Sequence, residues 1–192
     1  MLKASGFRSM AQAIKANDLY RRAEEEWRRG RLRPAFRLFL AAAKAGMAPA
    51  FSTVGQFYDR GDGIKANENA ALYWYRRAYR NGDYSAANNI GCIWRDRNKL
   101  GRALLWFHRA VRLGDADANL NIAKVYLRNK RDLGKATHYL NKTSKSRLAT
   151  EGSREEARHL LRGLGNRRIR NAHPSQPLGS VRARHQTSSR KP

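Results

Sequence analysis

The pattern Ala71-x-x-Trp74-Tyr75-x-x-Ala78-x-x-x-Gly82-x-x-x-Ala86 occurs three times in this chain at identical internal spacing. It returns downstream as Ala103, Trp106, Phe107, Ala110, Gly114 and Ala118, and upstream as Ala35, Leu38, Phe39, Ala42, Gly46 and Ala50. The copies stand 36 and 32 residues apart, the length of a helical hairpin that stacks on copies of itself. Alanine, aromatic and alanine at i, i+3, i+4 and i+7 share one helix face. The small residues admit a neighbouring helix, and the aromatic pair fills the space between them.

Each repeat reads as two antiparallel helices, A and B. In the second, helix A carries Val54, Gly55 and Tyr58 and leaves through Gly61-Asp62-Gly63, where the glycines supply the positive φ of a sharp exit. Helix B holds Ala71, Trp74, Tyr75 and Ala78; Gly82 ends it and Asp83 is placed to cap the next helix. The third repeat has Ile90, Gly91 and Trp94, then Ala103, Trp106, Phe107 and Ala110. The first is looser, with Ala23 and Glu24 at the small positions and Trp27 at the aromatic one. A fourth begins with Ile122, Ala123 and Tyr126, then Ala136, Tyr139 and Leu140, and decays where Thr143 replaces alanine and Arg147 replaces glycine. From each B-helix alanine to the next A-helix small residue the distance is always 20 positions (Ala35 to Gly55, Ala71 to Gly91, Ala103 to Ala123). The joint between repeats is therefore fixed, and the turn within each repeat varies, as stacking of consecutive hairpins requires. The expected fold is an all-α, right-handed solenoid of about four helix-turn-helix units over residues 19–147, divided at 19–51, 52–87, 88–119 and 120–147.

Two flanking segments frame the array. Residues 1–18 form an arm or helix with Phe7, Met10, Ala11 and Ile14 on one stripe and no acid before Asp18. It either caps the first repeat or, being basic and amphipathic, serves as a mitochondrial presequence. At the other end Ser153-Arg154-Glu155-Glu156 has the form of a capping box. It precedes Ala157, Leu160, Leu161 and Leu164, and predicts a helix over about 154–164 that closes the array within a 148–164 segment. From Gly165 to Pro192 the chain has no acid and is rich in Arg, Ser, Gly and Pro, the composition of a disordered basic tail.

Gly55-x-x-Tyr58-x-x-Gly61-x-Gly63-Ile64 followed by Ala71-x-x-Trp74-Tyr75-x-x-Ala78-x-x-x-Gly82-Asp83-x-x-Ala86 resembles the Sel-one-like repeat, a close relative of the tetratricopeptide repeat. The resemblance implies an adaptor that gathers proteins into complexes, with no catalytic residues. It also implies an inner face lined by the A helices, here Arg28, Gln56, Asp59, Asn88, Arg95, Lys124 and Arg128, with Cys92 at an equivalent position. Arg28, Arg95, Lys124 and Arg128 along one groove would favour a partner protein with an acidic segment or a C-terminal carboxylate.

No residue pattern points to catalysis, a cofactor or a small-molecule substrate. None of the five histidines pairs with Cys, Asp or Glu at metal-ligand spacing. Asp115-x-Asp117 falls at a joint where both carboxylates are expected to cap a helix, and Cys92, beside Gly91, reads as a packing thiol. A single cysteine suits a reducing compartment, read as a bacterial cytoplasm, with the mitochondrion as the alternative if residues 1–17 are a presequence. No apolar run is long enough for a membrane span.

Charge supplies a second function class. The 192-residue chain carries a formal +25. Its fourth repeat holds eight Lys or Arg against Asp132 alone. Lys130, Arg131, Lys135, Lys142, Arg167, Arg168 and Arg170 form the candidate contact set for nucleic acid, a ribosome or an anionic surface. The bland explanation is an arginine-rich coding bias.

Overall fold

The computed structural model describes residues 2–128 and 132–172, and every regular element among them is a helix. In chain order these are α1 (Leu2–Arg28), α2 (Leu32–Lys44), α3 (Ala48–Arg60), α4 (Glu68–Arg80), α5 (Tyr84–Asp96), α6 (Leu100–Arg112), α7 (Ala118–Arg128), α8 (Leu133–Lys145) and α9 (Glu151–Ala172). Each helix packs on the next, α1 on α2 through to α8 on α9. The A helices are α1, α3, α5 and α7; the B helices are α2, α4, α6 and α8. Helix α5 also meets α7 directly, more extensively than any pair of B helices among the described residues, as expected with the A helices on the inner side of the curve.

The expected face is the one that is buried. Ala35, Ala42, Ala71, Ala78, Ala103 and Ala110 are all but inaccessible, and Phe39, Tyr75 and Phe107 are buried between them. The aromatic rings lie over the small residues of the partner helix. A Cβ built on Gly55 would stand 2.6 Å from Tyr75 Cδ1, and one on Gly91 2.5 Å from Phe107 Cδ1. Trp74 and Trp106 share this seam, Trp74 against Phe51 (ring centroids 5.9 Å apart) and Trp106 against Tyr79 (5.3 Å).

The unit boundaries differ from expectation. Positions 52, 88 and 120 fall inside α3, α5 and α7. A periodic pattern fixes the spacing of repeats but not their phase, which the turns set. Residues 1–18 are not a separate arm either, because α1 runs unbroken through the first repeat's A helix. The Met10 and Ile14 stripe is exposed rather than capping. At 27 residues α1 outreaches the 13-residue α2, which has no length left to cover it. Trp27 is 50% exposed and meets Phe39 edge-on.

The closing helix also departs from expectation. It starts at Glu151, with Thr150 Oγ1 accepting from the Ser153 amide (3.3 Å), so Thr150 and not Ser153 caps it. It continues through Gly163 and Gly165 to Ala172, because each interior glycine costs an established helix only about 1 kcal/mol. The expected tail from Gly165 is thus helical up to Ala172, and its remainder lies outside the described residues. Buried Ala157 joins Leu120, Ala123 and Leu140 in one apolar cluster. Thr150 and Glu156 meet Asp117 and Lys124 at separations of 33 and 32 residues. That offset is the repeat length, so α9 sits where the A helix of a fifth repeat would.

Candidate functional site

The inner face is built from stripes one turn apart on α5 and α7. Asn88, Cys92 and Arg95 stand at i, i+4 and i+7; Asn121, Lys124 and Arg128 stand at i, i+3 and i+7. Asp83 fixes the start of α5, its Oδ1 accepting from the amides of Ser85 (2.9 Å) and Ala86 (3.3 Å). Asp115 does the same for α7 through the Ala118 amide (3.1 Å).

A polar ladder crosses between the two helices. Asn121 Nδ2 donates to Asn88 Oδ1 (2.9 Å), and Arg95 Nη1 donates to Asn121 Oδ1 (3.1 Å). Arg128 Nη1 reaches the Arg95 carbonyl at 3.5 Å. Asn121, the centre of this ladder, escapes a reading of positions relative to the aromatic residue. Its signal is only its place opposite Asn88 once the two helices stack.

The remaining candidates divide. Asp59 on α3 is half-buried and accepts from the Tyr75 hydroxyl (3.3 Å). Burial pushes its carboxyl above the usual range, opposed by that hydrogen bond. Gln56 is partly buried one turn earlier on α3. Burial also raises the Cys92 thiol, with the Arg95 charge acting in the opposite direction, so Cys92 is poorly disposed to be a thiolate nucleophile. Lys124 is paired with Glu156 on α9 (2.8 Å), and Arg95 Nε with Asp96 (3.0 Å). Arg28 is exposed at the end of α1, with two hairpins between it and α7. The four cations therefore do not make one groove. Arg95 and Arg128 come together, Lys124 is neutralised beside them, and Arg28 is remote.

Asp117 does not cap α7. Its Oδ1 accepts from the Thr150 amide (2.8 Å) and hydroxyl (3.2 Å), tying the start of α9 to the joint before α7. Among the anionic-polymer candidates, Lys135 is paired with Asp132 (2.7 Å) and Lys142 is exposed on α8. Arg167, Arg168 and Arg170 belong to the helical backbone of α9, and Lys130 and Arg131 lie outside the described residues. Among the described residues no group of His, Cys, Asp and Glu could hold a metal ion, and no helix is long and apolar enough to cross a membrane.

The Sel1 repeat model matches residues 33–47, 54–83 and 95–115, the seam-forming parts of the first three hairpins. Among solved structures, a Sel1 repeat protein from Oxalobacter formigenes is similar at 26% identity over 70% of this chain and 54% of that one, with a TM-score of 0.58. This chain thus spans about half the length of that relative. The protein c5321, a protective antigen of uropathogenic Escherichia coli with an SLR fold, is 23% identical over 58% of this chain and 25% of that one, at a TM-score of 0.49. With hairpins of the matching period stacked on one seam of small and aromatic side chains, the chain carries Sel1-like repeats over these segments.

Proposed function

We propose that the chain is a non-enzymatic scaffold that binds a partner protein on the A-helix face, through Asn88, Asn121, Arg95 and Arg128. Proteins built from Sel1 repeats generally act as interaction scaffolds. The observation that carries the assignment here is the Asn88–Asn121–Arg95 ladder. It holds polar side chains of two repeats in register before any partner arrives, so little side-chain entropy is lost on binding. Arg128, exposed at the rim and without an ion pair among the described residues, is positioned for an acidic segment of that partner. The test is capture of partners by the intact chain at high salt, wild type against Arg95→Glu/Arg128→Glu. A protein retained by wild type and lost by the variant supports the assignment. Retention by both moves the partner to another face.

A second reading places an anionic polymer on the fourth repeat and the segment after it. The exposure of Lys142 supports it, while the pairing of Lys135 with Asp132 reduces its cationic surface.

A further inference from the structure

Folding sorts the charge of this chain by face. Each of α2, α4, α6 and α8 is 13 residues long, carries three Lys or Arg, and ends on one of them. Their one carboxylate is Glu68, which is taken by Arg97 at 2.5 Å. In α3 and α5, by contrast, a single Arg stands beside a single Asp, as Asp59-Arg60 and Arg95-Asp96, while α7 carries Lys124, paired with Glu156, and Arg128. The terminal cations Lys44, Arg80, Arg112 and Lys145 occupy one repeat position, nine residues after Ala35, Ala71, Ala103 and Ala136. All four are exposed, and none enters an ion pair among the described residues.

The carboxylates that could neutralise this row are committed elsewhere. Asp83 and Asp115 cap helices, Asp117 holds Thr150, Glu151 holds Arg154 and Arg158, and Glu156 holds Lys124. The helix dipole accounts for a cation in each last turn. It covers two of the three in α4, α6 and α8, and accounts neither for the remaining Arg33, Arg37, Arg76, Arg102 and Lys135 nor for the missing acids.

Aromatic rings interleave with the cations. Arg77 lies 4.4 Å from the Phe51 ring centroid and 5.1 Å from that of Trp74, and Arg109 lies 4.5 Å from that of Trp106. Both guanidiniums are held in place by stacking. Tyr73 is 54% exposed and stands at i to Arg76, Arg77 and Arg80 at i+3, i+4 and i+7, so one ring shares a helix face with three guanidiniums.

We propose that the B-helix face binds single-stranded nucleic acid along its length, with phosphates on the repeating terminal cations and a base stacked on Tyr73. A charged row at repeat spacing with an aromatic platform is the combination that holds such strands without reading sequence. The row lies on the outer side of the curve, where a flexible polymer can follow it and a flat bilayer would touch few of its charges. The scaffold partner occupies the opposite face, so either site can exist without the other.

The test is fluorescence anisotropy of the full chain with a labelled oligouridylate of roughly 30 nucleotides, long enough for several stacking sites. Arg80→Glu/Arg112→Glu is expected to weaken binding about twentyfold or more at ~0.1 M salt and to lower the slope of log affinity against log salt by about 1.4. Arg60→Glu/Arg28→Glu changes net charge equally from the A helices and should stay within about threefold, since no phosphate contact is removed. Tyr73→Ala should weaken binding about fivefold or more while leaving the salt slope unchanged, because stacking releases no counterion. Thermal melts of all variants matching wild type exclude misfolding as the cause. Equal loss in both charge-reversed pairs would reduce the effect to net charge and overturn the proposal. So would binding of phosphatidylserine vesicles, but not of the oligonucleotide, through Arg80 and Arg112.

Discussion

Gly55 and Gly91 show how much of this fold rests on single missing atoms. Their partners Tyr75 and Phe107 are buried aromatic rings, and neither ring can retreat from a core packed on both sides. Gly91→Ala should therefore destabilise the chain by about 1–2 kcal/mol, since the clash outweighs the gain in helix propensity. Gly101→Ala is the matched control. A Cβ there meets nothing within 4 Å, so the same substitution should be neutral or stabilising by up to about 1 kcal/mol. Denaturant midpoints of the two variants measure the difference, and similar midpoints would remove these glycines from the seam. These positions were legible in the chain because a small residue recurs at one phase of the repeat. Asn121 was not, because its partners Asn88 and Arg95 lie on another helix.

The elements differ in how well local sequence announces them. The B helices, with alternating small and bulky residues, are plain in the pattern. The start of α9 is not: Ser153 and Glu156 have the right spacing for a cap, yet the cap is Thr150. Asp117, 33 residues earlier, accepts both the amide and hydroxyl of Thr150, and this tertiary contact fixes where the helix begins. Asp117→Ala should loosen α9 by about 2 kcal/mol, the typical net value of the two hydrogen bonds lost. Amide exchange would show it as lost protection in α9 with α3 to α6 unchanged. Protection lost evenly along the chain would mean that α9 folds as one unit with the rest rather than as a terminal addition.

For the molecule as a whole, self-repulsion adds to the conformational entropy that opposes packing. A formal charge of +25 is distributed over helices of which four contain almost no carboxylate. Raising salt from about 0.05 to about 0.5 M shortens the screening length from roughly 14 to roughly 4 Å. It should raise the thermal midpoint by several degrees, and sulfate should act at lower concentration than chloride by binding the cationic row. A midpoint unchanged by salt would show that the charges are already compensated within the fold. The sequence divides this charge along the chain, into a near-balanced middle and a basic end; the structure also divides it across the middle repeats, where α3 and α5 are balanced and α4 and α6 are cationic.

The sequence by itself determined the helical class, the repeat length, the seam residues and the decay of the last hairpin, because each follows from periodicity within one or two helices. Tertiary structure alone decided the phase of the hairpins, the merging of the first 18 residues into α1, the place of α9 and the pairing of Lys124 with Glu156. It alone also lined up Lys44, Arg80, Arg112 and Lys145 at the ends of the B helices. The place of α9 and the Lys124–Glu156 pair depend on residues 33 and 32 positions apart meeting in space, and a linear pattern carries spacing but not which side chains face each other across a joint.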